Sequence, residues 1–253
     1  MPPALRRAQI LERVRRDGGA SVADLARELG VSPITIHRDL ELLASEGLIE
    51  RVHGGARALN GAGSATGGAP IATAWDQRVE LAKEAKERIA AHAARHVVDG
   101  ETVFLDASST ALALARRLMR EPRNELTVVT NSPAIAFEIV GESMHVVVTP
   151  GELDQHMRLL AGRWTAEFLA NLNFAVAFVS AAGVTLEEGL TTARRPVADV
   201  ITAARASARR TVALLDASKF GRASLLSIMR AEEADALVTD PGLPADVAAR
   251  YRA

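Results

Sequence analysis

Three short polar clusters in this chain carry the groups that could do chemistry, and each stands directly behind an apolar run. Asp106-Ala-Ser-Ser-Thr110 leads into a helical pattern over 111–119, so free backbone N–H groups and the hydroxyls of Ser108, Ser109 and Thr110 converge on a helix N-terminus. Such an end accepts an anion, phosphate above all. Thr130-Asn131-Ser132-Pro133 repeats the arrangement, and Asp216-Ala-Ser-Lys219-Phe-Gly221 repeats it with an ammonium. Taken singly, each cluster reads equally well as a plain helix start, with Asn131 as a turn residue and Lys219 as the partner of a structural carboxylate. Three around one sheet edge point to a ligand site. Neither G-x-G-x-x-G nor G-x-x-x-x-G-K-[ST] occurs, which argues against dinucleotide and P-loop nucleotide binding. His92 and His96, four apart on a helix, lack the glutamate of a metalloprotease and an evident third ligand, and His145 and His156 carry no motif. No metal and no cofactor are expected.

A second set of residues, near the amino end, is suited to duplex DNA. Ser32 and Pro33 can cap and open a helix, and its first turns carry Ile34, Thr35, His37 and Arg38. Ile36, Leu40 and Leu43, spaced i, i+4, i+7, share one face, and Arg38 points almost directly away from it. In a major groove Arg38 would fork onto guanine, and Thr35 or Ile34 would touch a thymine methyl. Downstream, His53-Gly54-Gly55 offers a permissive turn, and Arg51, His53 and Arg57 would face phosphates and position the domain without specifying sequence.

These residues need elements to hold them. Ser21, with Asp24 three positions on, caps a helix whose apolar stripe is Val22, Leu25, Ala26 and Leu29, and Gly30 ends it. Only Val31 separates Gly30 from the next cap, so two helices must cross steeply in a helix-turn-helix. A first helix over 5–16 turns Ile10, Leu11 and Val14 inward, leaves Arg6, Arg7, Arg13 and Arg16 for solvent or phosphate, and is stopped by Gly18-Gly19. A strand over 48–52 and the glycine turn make a hairpin wing. The bland alternative is a three-helix scaffold for protein contacts.

Residues 59–72 are glycine-rich and nearly uncharged, a flexible linker between a head at 1–58 and a larger domain at 73–253. A long helix is expected over 75–96, with Lys83, Lys86 and Arg88 on a solvated face. Then the period changes. Apolar runs at 102–106, 126–130, 145–149, 175–180, 211–215 and 236–239, mostly separated by helical patterns, read as strands buried on both faces, hence a mostly parallel sheet flanked by helices. The fold class is therefore α/β with a winged helix-turn-helix head.

The chain has 253 residues, enough for both parts, and no cysteine, which excludes disulfides and thiolate metal sites and fits a reducing compartment. The start lacks an apolar signal core and the run over 174–184 is too short to span a bilayer, so a cytoplasmic protein with no membrane partner is expected. Net charge is −1, and residues 1–60 hold nine arginines against eight acids. A near-neutral head predicts modest nonspecific affinity and reliance on a homo-oligomer, dimer or tetramer, for tight binding.

Thr35-Ile36-His37-Arg38-Asp39-Leu40 with Arg51-Val52-His53-Gly54-Gly55-Ala56 resembles the head of the DeoR-type transcriptional regulators, although that family usually has a second arginine where His37 stands. The resemblance extends through Leu105-Asp106-Ala-Ser-Ser-Thr110, Thr130-Asn131-Ser132, Pro150-Gly151, Ala182-Gly183 and Asp216-Ala-Ser218-Lys219-Phe220-Gly221 to nearly the whole chain apart from the linker. It implies a sensor similar in fold to ribose-5-phosphate isomerase and glucosamine-6-phosphate deaminase that binds a phosphorylated sugar effector. Ser108, Ser109 and Thr110 would hold the phosphate, with Asp106, Asn131 and Lys219 around the sugar, and Ser132 and Gly151 stand in the matching motifs. Departures are Ser108-Ser109-Thr110 for glycine-threonine-threonine, Pro150-Gly151 for paired glycines, no aspartate near Ala175 and no lysine near Ile201.

The expected function is thus a non-enzymatic repressor of a carbohydrate-metabolism operon, binding a double-stranded operator under control of a phosphosugar. Its rivals are a sugar-phosphate isomerase or deaminase with a DNA-binding head, in which Asp106 or another acid is the general base, and a head that binds DNA constitutively beside a sensor kept only for oligomerisation. An enzyme does not need the capped, winged head, and no second acid or histidine stands in an obvious partnering place.

Overall fold

The computed structural model describes residues 3–17, 19–45, 48–52, 54–58, 74–139, 144–155 and 157–251. The expected linker, 59–72, lies outside the described residues, as does His53. The chain forms two compact units, Met1–Gln77 and Arg78–Ala253.

In the first unit, α1 (Pro3–Asp17) is followed by β1 (Gly19–Ser21), α2 (Val22–Leu29), α3 (Pro33–Ser45), β2 (Ile49–Val52) and β3 (Gly55–Ala58). The caps are as the sequence requires. The Ser21 hydroxyl accepts the Asp24 N–H at 3.0 Å and donates to the Asp24 carboxylate at 2.7 Å. Gly30 takes φ +65° and closes α2 by donating its N–H to the Ala26 carbonyl. Ile36, Leu40 and Leu43 join Ile10, Val14, Val22, Leu25, Ile49 and Ala56 in one core. The wing is an antiparallel hairpin with Val52 opposite Gly55. A third strand was not expected: β1 pairs with β3, so Gly19, read as a helix stop, lies in a sheet. Gly55 is what lets the two backbones meet, because a Cβ there would lie 2.3 Å from the Ala20 carbonyl oxygen.

The single helix expected over 75–96 is broken. α4 (Ala74–Glu80) stops, Ala82 takes a left-handed φ of +52°, and α5 (Lys83–Ala93) restarts before tightening into a 3₁₀ turn, Ala94–His96. The break persists because the Lys86 ammonium donates to the carbonyls of Arg78 and Leu81, which the lost turn leaves open.

There follow β4 (Thr102–Leu105), α6 (Ser109–Arg120), β5 (Leu126–Thr130), α7 (Pro133–Glu138), β6 (Met144–Val148), β7 (Glu152–Asp154), β8 (Leu159–Ala161), α8 (Arg163–Ala170), β9 (Phe174–Val179), β10 (Gly183–Thr185), β11 (Gly189–Thr192), α9 (Arg195–Ala206), β12 (Ala208–Leu214), β13 (Leu226–Met229), β14 (Ala236–Val238) and α10 (Ala245–Arg250). All six predicted strands lie in one sheet, ordered β14-β12-β9-β4-β5-β6 and parallel at every pairing. Phe104, Ala177, Val179 and Ala213 pack with Leu169 of α8 and Val200, Ile201 and Ala204 of α9. Their neighbours Val103, Leu105, Val176, Phe178 and Leu214, equally buried, face the other way by strand alternation. Sequence periodicity did not reveal the β7–β8 hairpin or the antiparallel β10-β11-β13 sheet, whose strands run only three or four residues. Among the described residues no helix is long and apolar enough to cross a membrane.

Candidate functional site

Because β12, β9, β4 and β5 are adjacent and parallel, the loops that follow them leave the sheet on one edge. A cavity of about 360 Å³ opens there, and Asp106, Ser108, Ser109, Thr110, Asn131 and Lys219 all line it. The three polar clusters, up to 113 residues apart in the chain, thus meet as the strand-end rule requires.

Each group is held by its own backbone. The Asp106 carboxylate accepts the Ser108 N–H at 3.1 Å and the Ser180 N–H at 2.7 Å, joining the β4 and β9 loops. Burial pushes its pKa up to about 6, against the pull of the Ser108 and Ser180 hydrogen bonds. Ser108 caps α6, its hydroxyl accepting the Ala111 N–H at 3.0 Å, which leaves the first amides of a twelve-residue helix directed at the cavity. Asn131 is buried; its Nδ2 donates to the Leu160 carbonyl at 3.0 Å, and the Leu160 N–H returns a bond to the Asn131 carbonyl at 2.8 Å. Its Oδ1 is buried with no hydrogen-bond partner among the described residues. Lys219 ends a 3₁₀ turn, Ala217–Lys219, fixed by the Asp216 carboxylate on the Ser218 N–H at 3.0 Å and by Asp240 on the Ala217 N–H at 2.8 Å.

Two predicted residues lie elsewhere. Ser132 is fully buried as the cap of α7, its hydroxyl accepting the Ile135 N–H at 3.2 Å, and it does not line the cavity. Gly151 sits outside the lining too, at φ +150°, where a Cβ would fall 2.1 Å from the Thr165 hydroxyl. Its role in the fold is close packing.

The cavity also holds groups that the sequence reading did not single out. Arg78 and Lys86 line it, although Lys86 was expected on a solvated face and is instead 6% exposed. Burial pulls both cations below their ordinary range, opposed at Arg78 by the charge of Asp106 and at Lys86 by that of Asp216. Their spacing carries no motif, and a lysine among acids on a helix reads as solvated until the helix is known to break beneath it. Met157 and Leu159 from the β7–β8 hairpin, with Val197, Val200 and Ile201 of α9, form an apolar wall. Ser180 was the findable omission, since it closes a predicted strand. Three cations, two carboxylates and a helix N-terminus around an apolar wall suit a small ligand with one anionic end and hydroxyl donors.

In the head, the Ser32 hydroxyl accepts the Thr35 N–H at 3.3 Å and lies 2.9 Å from the Thr35 hydroxyl. Pro33, Ile34, His37 and Arg38 are exposed, Ile34 at 67% despite being apolar, and Thr35 is half-buried. Arg51, expected toward phosphates, reaches across from β2 to the His37 carbonyl at 3.3 Å and the His37 Nδ1 at 3.1 Å, so it ties the wing to α3. Gly54 turns the wing at φ +77°. The Arg57 side chain, like His53, lies outside the described residues. Three of the α1 arginines expected to be left for solvent or phosphate are paired instead: Arg6 pairs with the buried Asp39 of α3 at 2.6 Å, Arg7 approaches the same carboxylate at 3.9 Å, and Arg13 pairs with Asp17 and, at 3.1 Å, with Glu28; the Arg16 side chain lies outside the described residues.

Residues 6–61 match the DeoR-like helix-turn-helix domain, and residues 81–241 match the DeoR C terminal sensor domain. The chain is 34% identical to the HTH-type transcriptional regulator GlpR of Haloferax volcanii, over 97% of this chain and 93% of that protein. It is 30% identical to the glycerol-3-phosphate regulon repressor of Escherichia coli, over 94% of this chain and 91% of that one. Among solved structures it is similar to ribose 5-phosphate isomerase A of Methanocaldococcus jannaschii, with a TM-score of 0.41 and 19% identity over 55% of this chain and 54% of that chain.

Proposed function

This chain belongs to the DeoR family of transcriptional regulators, and we propose that it represses a carbohydrate-metabolism operon, releasing or tightening its grip on the operator when a phosphorylated sugar occupies the cavity. The observation that carries the effector half is the convergence on one cavity of the α6 N-terminus, the Ser108–Thr110 hydroxyls, Lys219 and the buried, unpartnered Asn131 Oδ1. The helix end and Lys219 favour a phosphate; the Asn131 oxygen favours a ligand that donates a hydroxyl.

For the operator half, α3 enters a major groove, with Ile34, Thr35 and Arg38 at base edges and Ser32, Pro33 and His37 along its entry. The wing beside it contacts the backbone through His53 and Arg57, with Gly54 and Gly55 shaping its turn and Arg51 tying it to α3. Two heads carried by a homo-oligomer read two half-sites, and the ligand acts through its differential affinity for arrangements that do or do not place both heads. The localisation consistent with this work is the cytoplasm.

Catalysis by the same cavity is the reading against which this one is set. Among the described residues no histidine lines the cavity, and both oxygens of Asp106 already accept backbone N–H bonds, which disfavours it as a general base. Incubating the purified chain with phosphorylated sugars separates the two: a rise in melting temperature without turnover supports the sensor, and turnover supports the enzyme.

A further inference from the structure

The break between α4 and α5 is an unusual use of a lysine. Lys86 is 6% exposed, yet its ammonium is spent on two main-chain carbonyls, Arg78 and Leu81, at the end of the preceding helix. The turn that it holds includes Ala82 at φ +52°, a left-handed conformation that strains an L-residue. Arg78, Leu81, Ala82 and Lys86 all line the main cavity. Lys86 and Ser109, the first residue of α6, also line an adjoining cleft of about 190 Å³, so the two residues border both spaces. Residue 78 is where the chain enters the sensor unit from the head.

From this juxtaposition we infer that Lys86 is the residue that reports occupancy of the cavity to the rest of the chain: a phosphate seated on the α6 N-terminus draws the ammonium off the Arg78 and Leu81 carbonyls, and the 78–82 turn loosens. The exchange is favourable because a phosphate dianion is a stronger acceptor than two neutral carbonyls. Burial, which pulls the Lys86 ammonium below the ordinary lysine range, also rewards a full counter-charge. The groups facing Lys86 set the balance: Asp216 and Glu80 attract it, and Lys219 and Arg78 repel it. A phosphate that neutralises Lys219 removes part of that repulsion. The turn loses its clamp while Ala82 keeps its strain, so the segment through which the head is attached changes conformation without any movement of the sheet.

The inference rests on the phosphate reading of the cavity, and amide hydrogen exchange of the full chain tests the two separately. With inorganic phosphate or ribose 5-phosphate as probe, peptides covering 106–112 report occupancy and peptides covering 78–86 report the turn. The expected result is slower exchange in the first and about tenfold faster exchange in the second, as loss of two charge-assisted hydrogen bonds implies. In Lys86→Met the second peptide exchanges fast with or without probe. In Ala82→Gly, where φ +52° carries no strain, the turn is firmer and the probe concentration that loosens it rises about fivefold. Protection at 106–112 with no change at 78–86, or a Lys86→Met protein whose turn still responds, overturns the inference and leaves the phosphate reading standing. No protection at 106–112 with either probe overturns both.

Discussion

Arg38 and Lys219 stand in different compact units of the chain, Met1–Gln77 and Arg78–Ala253, and each is truncated separately. Arg38→Ala removes an exposed guanidinium from α3 and is expected to weaken operator binding by about 1–3 kcal/mol per half-site while ligand-induced thermal shifts stay as they were. Lys219→Ala is expected to leave operator binding intact and to lower affinity for a phosphorylated ligand about tenfold or more, the value of one charge-assisted contact. If both variants lose both activities, the two sites are not separable. Asp106 supplies a pH test. Its folded pKa of about 6 lies above the ordinary 3.8, so the folded protein binds the extra proton between those values and stability falls as pH rises through that window. The cost, about 3 kcal/mol by pH 7, is absent below about pH 4. Denaturant midpoints of the wild type and Asp106→Asn, taken from pH 4 to 7, are therefore expected to move in favour of the variant as pH rises; a constant difference would mean that the carboxylate is ionised without penalty.

At the level of elements, the wing offers two neighbouring glycines with different demands. Gly54 at φ +77° has open space where a Cβ would go, so Gly54→Ala costs only the conformational term, about 1 kcal/mol. At Gly55 the same methyl would meet the Ala20 carbonyl at 2.3 Å, so Gly55→Ala must part β1 from β3 and is expected to destabilise the head by a further 1–3 kcal/mol in chemical denaturation. Equal costs would argue that β1 does not pair there. The same elements show what a sequence can disclose. The six central strands were legible because each is an apolar run buried on both faces, and the caps at Ser21, Gly30 and Ser108 because their chemistry is local. β1 was not, since three residues that begin with a glycine and follow another carry no period, and neither was the α4–α5 break, which depends on a lysine eight positions from one of the carbonyls it binds. In the site, strand-end residues such as Asp106 and Asn131 could be placed from topology alone; Arg78 and Lys86 could not, because only tertiary packing brings them to the cavity.

For the whole molecule, residues 1–60 carry nine arginines against eight acids, and Arg6 and Arg13 are engaged by Asp39, Asp17 and Glu28, so the head has little net positive charge with which to hold DNA alone. Operator binding is therefore expected to require a homo-oligomer, and sedimentation of the full chain at micromolar concentration should show a dimer or larger species. A monomer that binds the operator tightly would contradict this. Regulation by a ligand requires a coupling between two sites, and fluorescence anisotropy on the DNA upstream of the chain's own gene measures it directly, with and without a panel of phosphorylated sugars and their unphosphorylated counterparts. The expected result is salt-dependent binding whose midpoint shifts about 5- to 150-fold with at least one phosphorylated sugar and with none of the unphosphorylated ones. Binding no tighter than to unrelated duplex, or a midpoint indifferent to every phosphosugar, would contradict it.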